Sequence, residues 1–335
     1  MNALLAPLGA VFGGATALRA TLYRRGLLAR ARLSSPVISI GNLAVGGRGK
    51  TPLVELTATI LRDAGRPVAV LSRGYGGTFR GEVLVVGDGV RVAADVVEAG
   101  DEPVMLARAL TGVVVAVGRD RVAAGRALEA ALGPRVFVLD DGFQHLRLRR
   151  DLDVVCVDAG DLRARPLPAG WLRERPSALS RAHLIAVSGE DEDDARAAVD
   201  ALAQRFGPDR IFRARRVPAG FCDLAGAPAS APARAYLLTG IARPERVAAD
   251  LAARGTAVTG QSAFADHHRF RPHEIETVLR EAQGSGADAV VTTAKDAVRL
   301  PVTKGALPIL VWRVRAAVDD ADRFRARLLA VGGGP

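Results

Sequence analysis

Lysine is nearly missing from this chain: of 46 basic residues only Lys50, Lys295 and Lys304 are lysines, and the rest are arginine. Were basic positions free to drift, any one would be lysine about one time in fifteen, so lysine is expected where a slim point charge on a flexible stem is needed. Lys304, in an expected loop, shows that scarcity alone assigns no role. Cysteine is equally sparse. Cys156 and Cys222 stand far apart, which excludes a disulfide framework and cysteine-based metal spacing, fits a reducing cytosol, and marks both as expected inert core residues. Aromatics make up 4% of the chain, its arginines are dispersed, and neither zinc-finger spacing nor an RNP-like aromatic motif occurs, which together argue against a nucleic-acid partner. An uninterrupted apolar run of bilayer length is also lacking. Leu4 to Leu18 is mostly apolar but carries Pro7, Gly9, Gly13 and Gly14, and it falls short of the roughly 20 residues a spanning helix needs.

What is present points to a large, basic α/β protein. At 335 residues the chain is expected to form two domains, since single cores stop growing near roughly 250 to 300 residues. Its net charge of +10 favours an anionic partner such as a nucleotide, an acidic lipid surface or a phosphorylated substrate. Arg19, Arg24, Arg25, Arg30 and Arg32 cluster around Leu22, Tyr23, Leu27 and Leu28, the pattern of an amphipathic helix lying in an anionic membrane interface. The charges follow the apolar run, the reverse of a secretory signal. The alternative is an amphipathic helix packed on the protein itself.

Ala44-Val45-Gly46-Gly47-Arg48-Gly49-Lys50-Thr51 follows the apolar run Val37 to Ile40 and opens a helical stretch. Strand, glycine loop and helix in this order make a phosphate-binding P-loop: backbone N–H groups close around phosphate oxygens, the helix N-terminus adds its positive dipole end, Lys50 reaches the β/γ-phosphates, and the Thr51 hydroxyl holds Mg²⁺. Ala44 stands where the usual pattern has its first glycine. A plain glycine-rich turn is the competing reading.

Short β-rich runs alternate with helical stretches along the chain, the rhythm of a mainly parallel, P-loop NTPase-like sheet covered by helices. Strands are expected at Val37 to Ile40, Val68 to Leu71, Val113 to Val117, Val136 to Leu139, Val154 to Val157 and Leu184 to Val187. Helices are expected at Lys50 to Ala64, Pro103 to Leu110, Arg119 to Leu132 and Asp193 to Phe206. Arg213 to Arg234, rich in Pro, Gly and Ala, reads as a crossing between lobes. A second, smaller α/β unit follows, with strands at Ala235 to Leu238, Ala257 to Thr259, Ala289 to Thr292 and Ile309 to Val311, and helices at Pro244 to Arg254, Pro272 to Gln283 and Asp320 to Leu329. The resulting division is 1–35 for the membrane-associating segment, 36–215 for the P-loop domain and 216–335 for the second lobe.

Arg135 to Asp141 is an apolar strand ending in two carboxylates, a Walker B arrangement in which Asp140 or Asp141 would hold Mg²⁺. Ligands gather at such carboxyl ends in open α/β sheets. Asp101-Glu102-Pro103 would either complement a helix dipole or supply a base for an attacking hydroxyl. Asp266-His267-His268 joins two of the five histidines to a carboxylate able to orient an imidazole, against the alternative of a surface turn. Arg73, in Arg73-Gly74-Tyr75-Gly76-Gly77, and Arg173-Glu174 are weaker candidates for meeting phosphate or metal, as is Lys295 in Thr292-Thr293-Ala294-Lys295-Asp296.

In this order, these segments resemble the tetraacyldisaccharide 4'-kinase family across nearly the whole chain. The resemblance rests on Val37 to Leu43 leading into Gly46 to Pro52, then Ser72 to Gly77, Gly100 to Pro103, Asp140 to His145, Pro168 to Gly170, Leu172 to Glu174, Asp266 to His268, and Thr292-Thr293 with Lys295-Asp296. It implies an ATP- and Mg²⁺-dependent kinase with an N-terminal membrane-associating helix and an active site in the cleft between lobes. The implied acceptor is the 4'-hydroxyl of a tetraacylated glucosamine disaccharide 1-phosphate, met as a peripheral or monotopic protein on the cytoplasmic face of the bacterial inner membrane. By position it implies Asp101 and His267, preferred over His268, as the catalytic pair, with Lys50 on phosphate, Thr51 and Asp140 or Asp141 on the metal, and Glu174 assisting there. Arg48 departs from an expected threonine and Ala294 from an expected glutamate. The competing classes are a P-loop switch acting on a protein partner at the membrane and a nucleic-acid-dependent NTPase.

Overall fold

The computed structural model describes residues 5–46, 49–189, 191–301 and 305–332; Gly47, Arg48 and Lys304 lie outside them. Its strands are β1 (Val37–Asn42), β2 (Val68–Ser72), β3 (Leu84–Gly87), β4 (Val114–Val117), β5 (Val136–Asp140), β6 (Leu152–Asp158), β7 (Leu184–Ser188), β8 (Ile211–Cys222), β9 (Pro228–Ala229), β10 (Arg234–Thr239), β11 (Ala257–Ala263), β12 (Ala289–Thr293) and β13 (Ile309–Val318). The helices are α1 (Ala6–Arg24), α2 (Lys50–Asp63), α3 (Val96–Ala99), α4 (Asp101–Ala109), α5 (Arg121–Leu132), α6 (Glu192–Phe206), α7 (Pro244–Ala252), α8 (Pro272–Gly284), α9 (Ala294–Ala297) and α10 (Ala321–Leu329).

One sheet runs through the molecule in the order β11-β10-β12-β13-β8-β7-β6-β1-β5-β2-β4-β3. In the first lobe β7, β6, β1, β5, β2 and β4 are all parallel, and β3 closes the edge antiparallel to β4. Every residue of β1, β2 and β5 is buried, as expected for parallel strands covered on both faces. The Val- and Ile-rich runs of the sequence are these strands.

The segment expected to be an irregular crossing is instead the longest strand. Residues Ile211 to Arg213 of β8 pair with β7 in parallel, and Ala214 to Cys222 pair with β13 antiparallel, so this strand carries the sheet from one lobe into the other. Pro218 and Gly220 disguise this strand in the sequence. The register passes from Arg313 opposite Gly220 to Val314 opposite Pro218, leaving Ala219 as an extra residue, and a bulge is where a strand tolerates a proline. A boundary at 215/216 falls inside this strand.

The last helix also crosses over. Phe324 and Leu328 of α10, with Val331 behind them, are buried in the core that includes Ile38, Leu53, Val54, Leu61 and Val138 of the first lobe. Arg313 of β13 adds an ion pair to Glu55 of α2 at 3.0 Å, and Arg108 of α4 donates to the Ala297 carbonyl at 3.3 Å. The lobes are thus tied at α2, the helix that begins with Lys50, and at α4.

Helix α1 lies on the first lobe through its small residues. A Cβ on Gly9 would meet Ala169 and the Pro166 carbonyl at 2.9 Å, and one on Gly13 would meet Arg175 at 2.8 Å. Its large apolar side chains Leu8, Val11, Phe12 and Leu18 are exposed. Among the described residues no helix is long and apolar enough to cross a membrane.

Candidate active site

The P-loop lies where the sequence puts it, between β1 and α2. Gly46 and Gly49 adopt positive φ values of 96° and 74°, a region open to glycine without steric cost. Gly49 is the N-cap of α2, and no side chain caps that end. The first N–H groups of a 14-residue helix are therefore free to face an anion. Lys50 and Thr51 are its first two residues.

Asp140 ends β5 beside β1, paired in register with Ile40. Its Oδ2 accepts from the Ser72 hydroxyl at 3.0 Å, while its Oδ1 is buried without a hydrogen-bond partner, as are Ser39 Oγ and Asn42 Oδ1. Burial, followed by the nearby Glu102 carboxylate, raises the Asp140 pKa to about 7 despite the opposing Lys50 ammonium. A buried carboxylate in this state is short of positive charge. Asp141, in left-handed backbone at φ 55°, has the opposite character. Burial pushes its carboxyl up, but Lys50 at 3.4 Å and Arg173 at 2.6 Å outweigh burial and hold it below the usual range.

Arg173 is brought there by backbone pairing. Val45 N–H donates to the Trp171 carbonyl at 2.9 Å and Arg173 N–H to the Leu43 carbonyl at 2.6 Å, so the Pro168-Ala169-Gly170 turn feeds its following segment against the P-loop entrance. Glu174, expected near the metal, is buried with its oxygens engaged: Arg181 contacts both at 2.9 Å, and Gln144 donates to Oε1 at 3.1 Å. Arg73 is exposed on the loop after β2.

The second lobe meets the first at Asp101. Asp101 opens α4 behind Gly100, whose φ of 90° and close packing against the Tyr75 carbonyl leave no room for a side chain. Asp101 Oδ2 lies 2.8 Å from His267 Nδ1 and 3.6 Å from Nε of the buried Arg299. His267 sits in left-handed backbone at φ 62°, and its N–H donates to the Gly240 carbonyl at 3.3 Å. His268 turns away, bonded to Glu274 at 2.9 Å and stacked on Phe264 with ring centroids 4.7 Å apart. The structure therefore brings together Lys50, Asp140, Asp141 and Arg173 on one side and Asp101 with His267 on the other, and leaves His268 out.

Several residues of this site had no role in the sequence reading. Ser72 and Gln144 lay inside the motifs without a separate signal. Arg181 and Arg299 had none, because their function as buried counter-charges depends on which carboxylates the fold places beside them. Arg121, also buried, reaches toward the Asp140 carbonyl at 3.5 Å.

The orphaned oxygens of Ser39, Asn42 and Asp140 fit a hydrated hard cation and phosphate better than a closed protein cage. Among the described residues no group of three His, Cys, Asp or Glu side chains could hold a metal by itself, and Mg²⁺ typically uses one or two carboxylates together with substrate phosphates. Both cysteines are buried and free, and burial pushes the Cys156 thiol up to about 12.

Matches to known proteins run along nearly the whole chain. The family model described as tetraacyldisaccharide-1-P 4'-kinase matches residues 1–332. A relative called tetraacyldisaccharide 4'-kinase from Anaeromyxobacter sp. (strain Fw109-5) is 46% identical over 334 residues, covering 96% of this chain and 88% of its own. One of the same name from Geobacter metallireducens is 42% identical over 304 residues, covering 89% and 88%. The crystal structure of LpxK from Aquifex aeolicus in complex with ATP matches with a TM-score of 0.79 at 28% identity, covering 97% of each chain. With a match along nearly its full length and relatives more than two-fifths identical, this chain belongs to the tetraacyldisaccharide 4'-kinase family.

Proposed function

We propose that the chain moves the γ-phosphoryl group of ATP onto the 4'-hydroxyl of a tetraacylated glucosamine disaccharide 1-phosphate, with the first lobe holding the donor and the Asp101–His267 pair facing the acceptor. The observation that carries this reading is the 2.8 Å contact between Asp101 and His267. It joins a proton-accepting pair from two lobes, and Glu102, next to Asp101, is near enough to act on Asp140. A P-loop switch needs no such pair.

Phosphoryl transfer demands positioning and charge neutralisation more than covalent chemistry. Lys50 and the uncapped N-terminus of α2 would bind the terminal phosphates, Thr51 with Asp140 or Asp141 would hold Mg²⁺, and Arg173 keeps Asp141 ionised. Bound there, Mg²⁺ would offset phosphate charge. Glu174 acts through Arg181 and Gln144, which occupy its oxygens. The Asp101–His267 pair receives the acceptor proton.

The acceptor is an acylated lipid, and α1 supplies a matching surface. Leu8, Val11, Phe12 and Leu18 face outward and Arg19, Arg24 and Arg25 follow on the same helix end, an arrangement suited to the anionic interface of the cytoplasmic leaflet. The decisive assay supplies γ-labelled ATP and the acylated disaccharide phosphate to purified protein. Label is expected in the lipid fraction. Free phosphate alone, stimulated by protein or nucleic acid, would replace the kinase reading with an NTPase.

A further inference from the structure

β1 ends in an asparagine whose amide is only half used. Asn42 is fully buried. Its Nδ2 donates to the Gly46 carbonyl at 3.4 Å, a long bond, and its Oδ1 has no partner among the described residues. A carbonyl only accepts, so the contact with Gly46 fixes which end of the amide carries the hydrogens.

The sheet sets where this side chain lies. Side chains alternate along a strand, so Asn42 shares a face with Ile38 and Ile40, which pack in one core with Leu53, Val54 and Leu61 of α2. Asp140, in register with Ile40, and Cys156, in register with Asn42, belong to the strands on either side of β1. The Lys50 ammonium is near enough to act on both the Asp140 carboxyl and the Cys156 thiol, which puts it over the end of β1. Asn42 is the neutral polar residue in that floor. Its main chain is fastened separately: the Asn42 carbonyl accepts from Gln144 Nε2 at 2.9 Å, and on the other face a Cβ on Gly41 would meet the Phe143 nitrogen at 2.8 Å. These contacts do not depend on which side chain stands at 42.

We infer that Asn42 is a positioning residue for the nucleotide, its amide holding the glycine loop in the curve that receives phosphate. The inference rests on the kinase reading above and deepens it. A loop that turns N–H groups inward on phosphate turns carbonyls outward, and these need donors from the scaffold. Nδ2 is that donor for Gly46, which bends the chain at φ 96°. As the loop draws in on phosphate the long bond shortens, and Oδ1 accepts from a donor that arrives with the nucleotide, either a loop N–H or a water of the hydrated cation. An amide suits this place because it offers a donor and an acceptor without charge. A carboxylate there would face the Gly46 carbonyl with no hydrogen to give and would add a third negative group to Asp140 and Asp141.

The test measures ADP binding to the full chain by calorimetry, once with Mg²⁺ and once with EDTA, beside steady-state kinetics. Asn42→Ala should weaken ADP binding and raise the KM for ATP by roughly threefold to tenfold, with the KM for the acylated disaccharide phosphate unmoved. Asn42→Ser, whose hydroxyl still donates, should recover part of the loss. Asn42→Asp, which keeps the shape and loses the donor, should weaken binding by roughly a hundredfold or more. Equal loss in Asn42→Ala with Mg²⁺ and with EDTA assigns Oδ1 to a loop N–H, and a larger loss with Mg²⁺ assigns it to a water of the cation. Unchanged ADP affinity in Asn42→Ala beside a lowered melting temperature makes Asn42 a packing residue and overturns the inference. An Asn42→Asp protein that binds ADP as tightly as the unaltered chain overturns it as well. If the unaltered chain binds no ADP, the reading of the glycine loop as a phosphate site fails instead.

Discussion

The two sides of the proposed site, one for the phosphoryl donor and one for its acceptor, are built by opposite means. Asp140 and Lys50 are buried at the ends of a parallel strand and at the start of a long helix, inside one continuous core. His267 is half-exposed on a turn, with a side chain 49% accessible, and meets its partner only across the gap between lobes. The charges proposed to face phosphate are embedded in the sheet, and the proposed proton-accepting pair is completed by a second unit. Parting the lobes would break the Asp101–His267 contact and leave the Lys50–Asp141–Arg173 cluster whole.

Substitutions can separate the two sides. Lys50→Ala should have the largest effect, lowering lipid phosphorylation by about 10³-fold or more, since a preorganised charge on the transferring group is lost. The fold should persist because Arg173 still pairs with Asp141; circular dichroism with a transfer assay checks both. His267→Gln should lower kcat by roughly 10²-fold while equilibrium ATP binding stays unchanged, and weakened ATP binding would erase the distinction between the sides. Arg313→Ala removes the interlobe ion pair to Glu55, and a partly exposed pair of this kind is worth about 1 kcal/mol. A small drop in melting temperature is expected, with kcat affected more than ATP affinity.

The smallest effect concerns pH. Burial, then the neighbouring Arg121 charge, lowers His145 from 6.5 to about 4 in the folded state, so the unfolded chain takes up the proton first. This contribution to stability is complete above 6.5 and is lost as pH falls toward 4. His145→Gln should flatten the melting temperature over that window, and an unchanged slope would assign the acid sensitivity elsewhere.

The first lobe was legible because its signals are local. Runs such as Val37-Ile38-Ser39-Ile40 and Val68-Ala69-Val70-Leu71 are hydrophobic for burial on both faces, and their ends came within two residues of the observed strands. The glycine loop and the Asp140-Asp141 strand end follow two strands, β1 and β5, that lie side by side. What stayed hidden is non-local. β8 carries Pro218 and Gly220, and its continuity depends on a bulge against β13 that only the pairing creates. Arg299 looks like any other arginine until the fold surrounds it with Asp296 and Asp101. The choice of His267 over His268 became geometry only when Asp101 and Phe264 were seen to lie on different sides of the pair.

The return of α10 to the first lobe bears on how the chain is made. Phe324 and Leu328 fill a core whose other members were synthesised nearly three hundred residues earlier, around Ile38 and Leu53. A nascent chain emerging from the ribosome therefore holds its nucleotide-handling half unsealed until α10 is released. Chaperone attention during translation should concentrate on that waiting apolar gap.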